Sequence, residues 1–188
     1  MTWQLVRLAD ATPSPWRNGG GVTRELAAWP CAGDWIWRIS VAEVGAGGPF
    51  SRFDGVQRWF AVLGGQGVRL KLPDAEHRLT RASAPLQFEG ELAVDCELCE
   101  GPTQDLNLMV RRDRALARME RIANVQPREA RPGRVIAVYA ADGPAHIIGA
   151  QDSLAVPAHS LAWRAVSQAI EVQVTTPGAL WMEIEQWA

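Results

Sequence analysis

Short runs of alternating apolar and polar residues recur along the whole chain, and no other feature constrains its fold as strongly. Glycine, proline and aspartate separate these runs, a pattern typical of all-β sandwiches and barrels. One segment leaves an alternative open, because Leu116, Met119 and Ile122 have helix-like spacing without a capping residue or a glycine stop. A strand and a short helical turn are both compatible with residues 114–122. The sequence as a whole predicts an antiparallel all-β protein.

Polar side chains lie within several of these predicted strands. In residues 105–112 (DLNLMVRR), Asp105, Asn107 and Arg111 share one strand face, and leucine and valine occupy the other. A strand with one wet face is the ordinary explanation of such alternation. The pattern is repeated, however, by two pairs in earlier strands, namely Thr23 with Glu25 and Arg38 with Ser40. This repetition favours a ligand pocket inside a barrel.

Arg58 begins a third strand, on the same face as Phe60 and Val62. A buried charge is costly unless it is paired and hydrogen-bonded. Arg58 therefore needs either a ligand or a counter-charge, for which Glu25 and Asp105 are the candidates. Because a guanidinium forks onto a carboxylate, Arg58 is the strongest candidate for binding an anion.

Composition and charge exclude several classes of function. The chain has 188 residues and a formal net charge of -2, with scattered basic residues, which does not support a nucleic-acid or anionic-membrane surface. No signal-peptide pattern is present, and no stretch approaches the roughly 20 apolar residues that span a bilayer. An odd number of cysteines fits a reducing compartment, so a cytoplasmic location is expected. Cys96 and Cys99 form a lone CxxC, for which a structural role is favoured over zinc binding.

A proline- and arginine-rich stretch at residues 126–133 (QPREARPG) is predicted to connect two lobes. The larger lobe would cover residues 1–125 and hold the pocket, and the smaller one would cover residues 134–188. The lobes are expected to share a core, and an exchange of terminal strands between them is left open.

Residues 50–67 (FSRFDGVQRWFAVLGGQG) resemble the first motif of the cupins, in which two histidines and a glutamate bind a metal ahead of a strand that ends in a glycine turn. Here Arg58 stands at the position of the glutamate. The histidine positions fall among Ser51, Arg52, Phe53 and Asp54, and the three histidines of the chain lie far apart in sequence. No metal and no other cofactor is therefore expected.

Five segments, taken in order, carry a closer resemblance: residues 16–25 (WRNGGGVTRE), 37–42 (WRISVA), 48–58 (GPFSRFDGVQR), 88–90 (FEG) and 105–112. Together they are similar to the HutD family, also called the Ves family. The similarity is detailed over about the first two thirds of the chain and is limited to strand rhythm over the rest. It implies a double cupin (bicupin) of two antiparallel β-barrel or jelly-roll lobes, and an association with bacterial histidine utilisation.

The strand faces and the resemblance indicate the same pocket. Trp16 has no regular element to bury it, so core packing and a place in the pocket wall are both open for it. The hydroxyl and amide side chains can donate or accept hydrogen bonds to fix a ligand. The predicted ligand-binding residues are Trp16, Asn18, Thr23, Glu25, Arg38, Ser40, Arg58, Asp105, Asn107 and Arg111.

The sequence is compatible with three functions of different classes: a binding protein, an enzyme and a structural interaction domain. The favoured one is a metal-free protein that binds a small carboxylate from histidine breakdown, urocanate or N-formylglutamate, and regulates histidine utilisation. The alternative is a metal-independent cupin enzyme with Glu25 or Asp105 as general base and Arg58 as anion stabiliser. No nucleophile with an adjacent base is visible in the sequence. A structural interaction domain is a third alternative, and the oligomeric state is left open, with a homodimer as one alternative.

Overall fold

The computed structural model describes residues 2–150 and 152–187. Within these ranges the chain forms β-strands joined by turns, together with one 3-10 turn at Leu8–Asp10. The predicted all-β class is confirmed. In the same ranges no helix is long and apolar enough to cross a membrane.

The strands are numbered in chain order. The first eleven are β1 (Gln4–Arg7), β2 (Pro13–Pro15), β3 (Gly21–Trp29), β4 (Trp37–Val44), β5 (Gly48–Pro49), β6 (Val56–Gly64), β7 (Val68–Lys71), β8 (Glu76–Leu79), β9 (Leu86–Glu89), β10 (Asp95–Leu98) and β11 (Thr103–Arg111). They are followed by β12 (Ala115–Arg121), β13 (Pro127–Ala130), β14 (Arg134–Ala140), β15 (Ala145–Gly149), β16 (Ser153–Val156), β17 (Ser160–Ala165), β18 (Ile170–Val174) and β19 (Leu180–Gln186).

The chain divides into two compact units. The N-terminal unit is Ala11–Arg114, and the C-terminal unit combines the segment that ends at Asp10 with the segment that begins at Ala115. Strand β1 pairs with β17, and β12 pairs with β19 along its whole length. The predicted connector at residues 126–133 contains β13, which pairs with β18. The chain therefore passes between the units at Asp10 and Ala11 and again at Arg114 and Ala115, ahead of the expected connector. Of the two alternatives for residues 114–122, the structure has the strand, since β12 covers Ala115–Arg121.

The N-terminal unit contains two antiparallel sheets. One has six strands in the order β2-β3-β4-β11-β6-β9, and the other has four in the order β5-β10-β7-β8. Alternation selects the buried face, as in β7, where Val68 and Leu70 are buried while Arg69 and Lys71 are exposed. Apolar side chains from both sheets form one core cluster. Burial of each large apolar side chain stabilises the fold by about 1.5–3 kcal/mol.

The C-terminal unit also contains two antiparallel sheets, in the orders β1-β17-β14-β19-β12 and β13-β18-β15-β16. Its core cluster includes Ile136 and Val138 from β14, Ile147 from β15 and Trp181 from β19. Each unit thus has a core of its own, contributed by two sheets. Cysteine takes part in this packing only in the N-terminal unit, where Cys96 is buried as a free thiol.

Candidate functional site

The register of the six-stranded sheet brings polar residues of different strands into rows. Glu25 of β3 lies opposite Ser40 of β4, which lies opposite Asn107 of β11. In the next row, Arg38 and Arg58 flank the same residue of β11 from either side. Directly opposed residues have Cβ atoms about 4.5–5.5 Å apart and project from one face. A β-bulge directly after Glu25 interrupts the pairing of β3 with β4, and bulges of this kind re-aim side chains.

A cavity of about 620 Å³ lies on this face of the N-terminal unit. Eight of the ten residues predicted from the sequence line it: Trp16, Asn18, Thr23, Glu25, Arg38, Ser40, Arg58 and Asn107. The cavity is also lined by Phe50, Phe53, Arg17 and Ser51, none of which was predicted to bind a ligand. All four fall in segments that carry the family resemblance, Arg17 in residues 16–25 and the other three in residues 48–58. Those segments were therefore a usable signal, although no periodicity marks these four residues.

Arg58 is buried beneath the cavity and uses only part of its hydrogen-bonding capacity within the protein. Its Nη1 donates to the carbonyl oxygen of Ser51 at 3.2 Å, and its Nη2 donates to Asn107 Oδ1 at 3.0 Å. The buried Nε has no hydrogen-bond partner. No ion pair to Arg58 is found among the described residues. A buried cation with a free donor therefore lines the cavity.

Aromatic rings surround the guanidinium of Arg58. Its central carbon lies 5.2 Å from the ring centroid of Phe50, 5.6 Å from that of Phe53 and 5.0 Å from that of Phe88. Ring faces attract a cation at such distances, but they neither neutralise its charge nor accept the Nε proton as a carboxylate would. Burial, and then the nearby charge of Arg38, lowers the pKa of Arg58 to about 10. Arg58 therefore remains a cation at neutral pH.

Arg38 and Glu25, which also line the cavity, form a loose pair. Arg38 Nε lies 3.8 Å from Glu25 Oε2, which is too long for a hydrogen bond, and this buried Nε has no other partner. Burial lowers the pKa of Arg38, and the charge of Glu25 opposes that effect. The guanidinium carbon of Arg38 lies 5.9 Å from the ring centroid of Trp35. The two opposite charges therefore lie near each other without a hydrogen bond between Nε and the carboxylate.

The glycine-rich segment after β2 shapes one wall of the cavity. The Nε1 of Trp16 donates to Thr23 Oγ1 at 2.8 Å, which fixes the indole against β3. At Gly21 a Cβ atom would lie 2.6 Å from the carbonyl oxygen of Glu43 and 3.1 Å from the Trp16 ring, so only glycine fits. The Oδ1 of Asn18 accepts from the backbone amide of Gly20 at 3.0 Å. Trp16 thus lines the cavity.

Asp105 and Arg111 do not line the cavity, although both lie on the strand that carries Asn107. Asp105 is fully buried, and its Oδ2 accepts from Thr103 Oγ1 at 2.9 Å while its Oδ1 has no partner. Burial raises the pKa of Asp105 to about 7, against the effect of the Thr103 hydrogen bond. Asp105 lies on the strand face that the alternation predicts, but its neighbour on β6 is the core residue Val62. Arg111 ends the strand, where its Nε donates to the carbonyl oxygen of Trp35 at 2.8 Å.

The side chains around the cavity do not fit a metal ion. Arg58 places a fixed positive charge there, and Glu25 is the one acidic side chain among the described lining residues, which include no histidine or cysteine. Across residues 2–150 and 152–187, no group of three or more histidine, cysteine, aspartate or glutamate side chains could hold a metal. Protein sites for transition metals are built from such ligands. The donor set instead suits an organic anion.

Comparisons with known proteins agree with the sequence resemblance. The model of the HutD family matches residues 8–182. A protein of Pseudomonas putida, described as an uncharacterized 21.2 kDa protein in the hutC 3' region, is 37% identical over 119 residues, which cover 62% of this chain and 63% of that protein. Protein Ves of Citrobacter koseri is 41% identical over 106 residues, covering 55% and 56%. The matched regions thus span less than two thirds of these curated relatives.

Solved structures are similar over the whole chain. HutD from Pseudomonas fluorescens SBW25, in a formate condition, is 28% identical with a TM-score of 0.86, and all of both chains is covered. A cupin 2 conserved barrel domain protein from Leptotrichia buccalis is 8% identical with a TM-score of 0.60, covering 98% of this chain and 96% of that one. The second likeness concerns the fold alone, and it makes the all-β fold cupin-like.

Proposed function

The chain belongs to the HutD family, and on that premise we propose that it is a metal-free double cupin that binds a small carboxylate in the cavity of the N-terminal unit. The proposed ligand is an intermediate of histidine degradation, urocanate or N-formylglutamate, and its binding regulates histidine utilisation. Arg58 is the observation that carries this proposal, because it is a buried cation that lines the cavity with an unused Nε donor.

The physical argument concerns the cost of the buried charge. Removing a cation from water costs several kcal/mol unless a counter-charge and hydrogen bonds compensate. A ligand carboxylate beside Arg58 supplies both, and three phenylalanine rings around the guanidinium keep the site apolar. Attraction between opposite charges is stronger in such surroundings than in water. The Ser51 carbonyl and Asn107 each accept from one Nη atom, while Nε has no acceptor within the protein.

The connection to histidine utilisation rests on the relatives. One of them is described by its position in the hutC 3' region of Pseudomonas putida, and a solved relative from Pseudomonas fluorescens is named HutD. A cytoplasmic location, which the odd number of cysteines favours, belongs to the same proposal. The homodimer alternative is tested by light scattering of the eluting protein during size-exclusion chromatography.

An enzymatic role is the alternative, and Glu25 is the observation that favours it. Its carboxylate lines the same cavity as Arg58, so it could accept a proton from a bound ligand while Arg58 stabilises the developing anion. Asp105, the other base considered, is enclosed away from the cavity. Chromatographic detection of a product from urocanate or N-formylglutamate would favour the enzyme over the binding protein.

Isothermal titration calorimetry tests the binding proposal. Urocanate and N-formylglutamate are titrated into the protein, with glutamate and acetate as controls. Loss of a charge-assisted hydrogen bond costs about 1.5–3 kcal/mol, or about one to two decades in affinity, so Arg58→Ala should weaken binding by that factor. Arg111→Ala is the matched control, because Arg111 lies outside the cavity, and it should bind as the wild type does. Equal weak binding of all four compounds to wild type and Arg58→Ala would reject the proposal.

A further inference from the structure

A continuous line of polar side chains connects Arg58 with Glu25 across four neighbouring strands, and we refer to it as the polar track. Arg58 donates to Asn107, which lies opposite Ser40, which in turn lies opposite Glu25. The first three residues are almost completely enclosed, with exposures of 7%, 8% and 2%. All four line the cavity. A ligand bound at Arg58 and extending along the sheet would therefore pass over Asn107 and Ser40 and reach Glu25.

The two ends of the polar track have opposite hydrogen-bonding characters. Arg58 is a cation whose groups only donate, and its Nε has no acceptor within the protein. Glu25 presents a carboxylate, which only accepts hydrogen bonds when ionised. None of the described residues donates a hydrogen bond to this carboxylate, since even Arg38 Nε lies 3.8 Å away. The Glu25 end therefore has room for a donor.

Covering Glu25 with an apolar ligand atom would be unfavourable. The ligand would displace water from the carboxylate and leave an anion without a donor, and a polar group buried in that way costs its full desolvation penalty. Sites built to hydrogen-bond a ligand N–H or O–H discriminate strongly against analogues that lack it. The Glu25 end should thus select among the carboxylates that Arg58 admits.

We propose that the ligand of this cavity carries an N–H donor in addition to its carboxylate, and that Glu25 determines specificity by accepting the hydrogen bond from that N–H. The inference rests on the proposed function, since it assumes that Arg58 binds the carboxylate. Strands β6 and β3 are three strand spacings apart, about 14 Å between backbones. Arg58 Nη2 reaches Asn107 on the neighbouring strand β11 at 3.0 Å, so the guanidinium lies closer to β3 than its own backbone does. A ligand with a few atoms between its carboxylate and its N–H can bridge the remaining gap.

Matched pairs of carboxylates test the role of the N–H group. N-acetyl-β-alanine and acetoxypropanoate differ by an amide N–H against an ester oxygen, and pyrrolylpropanoate and furanylpropanoate differ by a ring N–H against a ring oxygen. Titration calorimetry of the wild-type protein should show tighter binding of the N–H member of at least one pair by about ten- to a hundredfold, the effect of one hydrogen bond to a charged group.

Variants assign that preference to Glu25. Glu25→Ala should remove the preference, Glu25→Gln should keep part of it because its side chain retains a carbonyl acceptor, and Arg58→Ala should weaken binding of both members. Glu43→Ala is the matched control, because the Glu43 carboxylate pairs with Arg24 and does not line the cavity. It should keep the wild-type preference. Thermal melting checks that each variant is folded, and Glu25→Gln serves if Glu25→Ala is not.

The outcomes separate this inference from the proposed function. If wild-type protein binds the N–H and oxygen members of both pairs equally well, the inference is overturned while carboxylate binding stands. A preference that survives in both Glu25 variants overturns it as well. If none of the four probes binds, and urocanate and N-formylglutamate also fail to bind, the proposed function and the inference fall together.

Discussion

Replacing Asp105 by asparagine should change how the stability of the protein depends on pH. The Asp105 side chain is fully buried, and its one hydrogen-bond donor is the hydroxyl of Thr103 at 2.9 Å. Burial raises the pKa of this carboxyl from 3.8 to about 7, and the Thr103 hydrogen bond opposes the rise. The neighbouring Cys96 does not interfere, because burial, followed by the charge of Asp105, raises the pKa of its thiol to about 12.

The sign of the effect follows from the difference between the folded and unfolded states. Because the pKa is higher in the folded state, the folded protein retains the Asp105 proton between about pH 4 and about pH 7 while the unfolded chain releases it. The contribution of Asp105 to the free energy of unfolding is therefore greatest below about pH 4 and is lost as the pH rises to about 7. The loss is about 1.4 kcal/mol per pH unit, or about 4 kcal/mol over the whole interval.

Urea unfolding followed by far-ultraviolet circular dichroism measures this effect. Asparagine is similar in shape and stays neutral, so the free energy of unfolding of Asp105→Asn minus that of the wild type should rise by about 2–3 kcal/mol between about pH 5 and about pH 7, and then level off. Thr103→Val removes the hydrogen bond that lowers the pKa of Asp105, so the levelling should move to higher pH. Thr103→Ser retains the hydroxyl and is the control. Parallel curves for wild type and Asp105→Asn would refute the reasoning.

Strand parity predicted much of the candidate site because the relevant elements are regular. Alternate residues of a strand share a face whatever the tertiary structure, so the pairs Arg38 with Ser40 and Thr23 with Glu25 could be assigned to faces from the sequence alone. Parity does not say how far along the strand a cavity extends. Asp105 therefore shares the face of Asn107 but is enclosed opposite Val62.

The aromatic wall around Arg58 could not be predicted in the same way. Phe50 and Phe53 lie in the irregular segment between β5 and β6, where no periodicity indicates a direction for a side chain. Their positions follow from contacts of that segment with a distant part of the chain, such as the backbone bonds from Phe50 to Val94 and from Phe53 to Gly90. Local sequence carries little information about such contacts.

The boundary between the two units shows the same limitation. Strand β1 and strand β12 belong to the C-terminal unit through pairing with β17 and β19, and no local feature of either strand indicates a partner so far along the chain. The proline-rich stretch indicated a connector, yet Pro127 begins β13, which is an edge strand of its sheet. Proline is tolerated at such a position because its missing N–H is not needed for pairing.

Two further predictions concern a turn and the metal content. Gly67 has a φ of +101°, and a Cβ atom there would lie 2.3 Å from the carbonyl oxygen of Leu79, so Gly67→Ala should lower the free energy of unfolding by at least about 1–3 kcal/mol in urea titrations. Gly101→Ala, at a φ of +67° with open space around it, should cost less, and equal losses would contradict the steric argument. Elemental analysis after dialysis against a chelator should find no stoichiometric transition metal, because Arg58 places a positive charge in the cavity and Glu25 is the one acidic side chain among its described lining residues. About one equivalent of zinc, iron, manganese or nickel per chain would contradict the conclusion that the described side chains do not hold a metal.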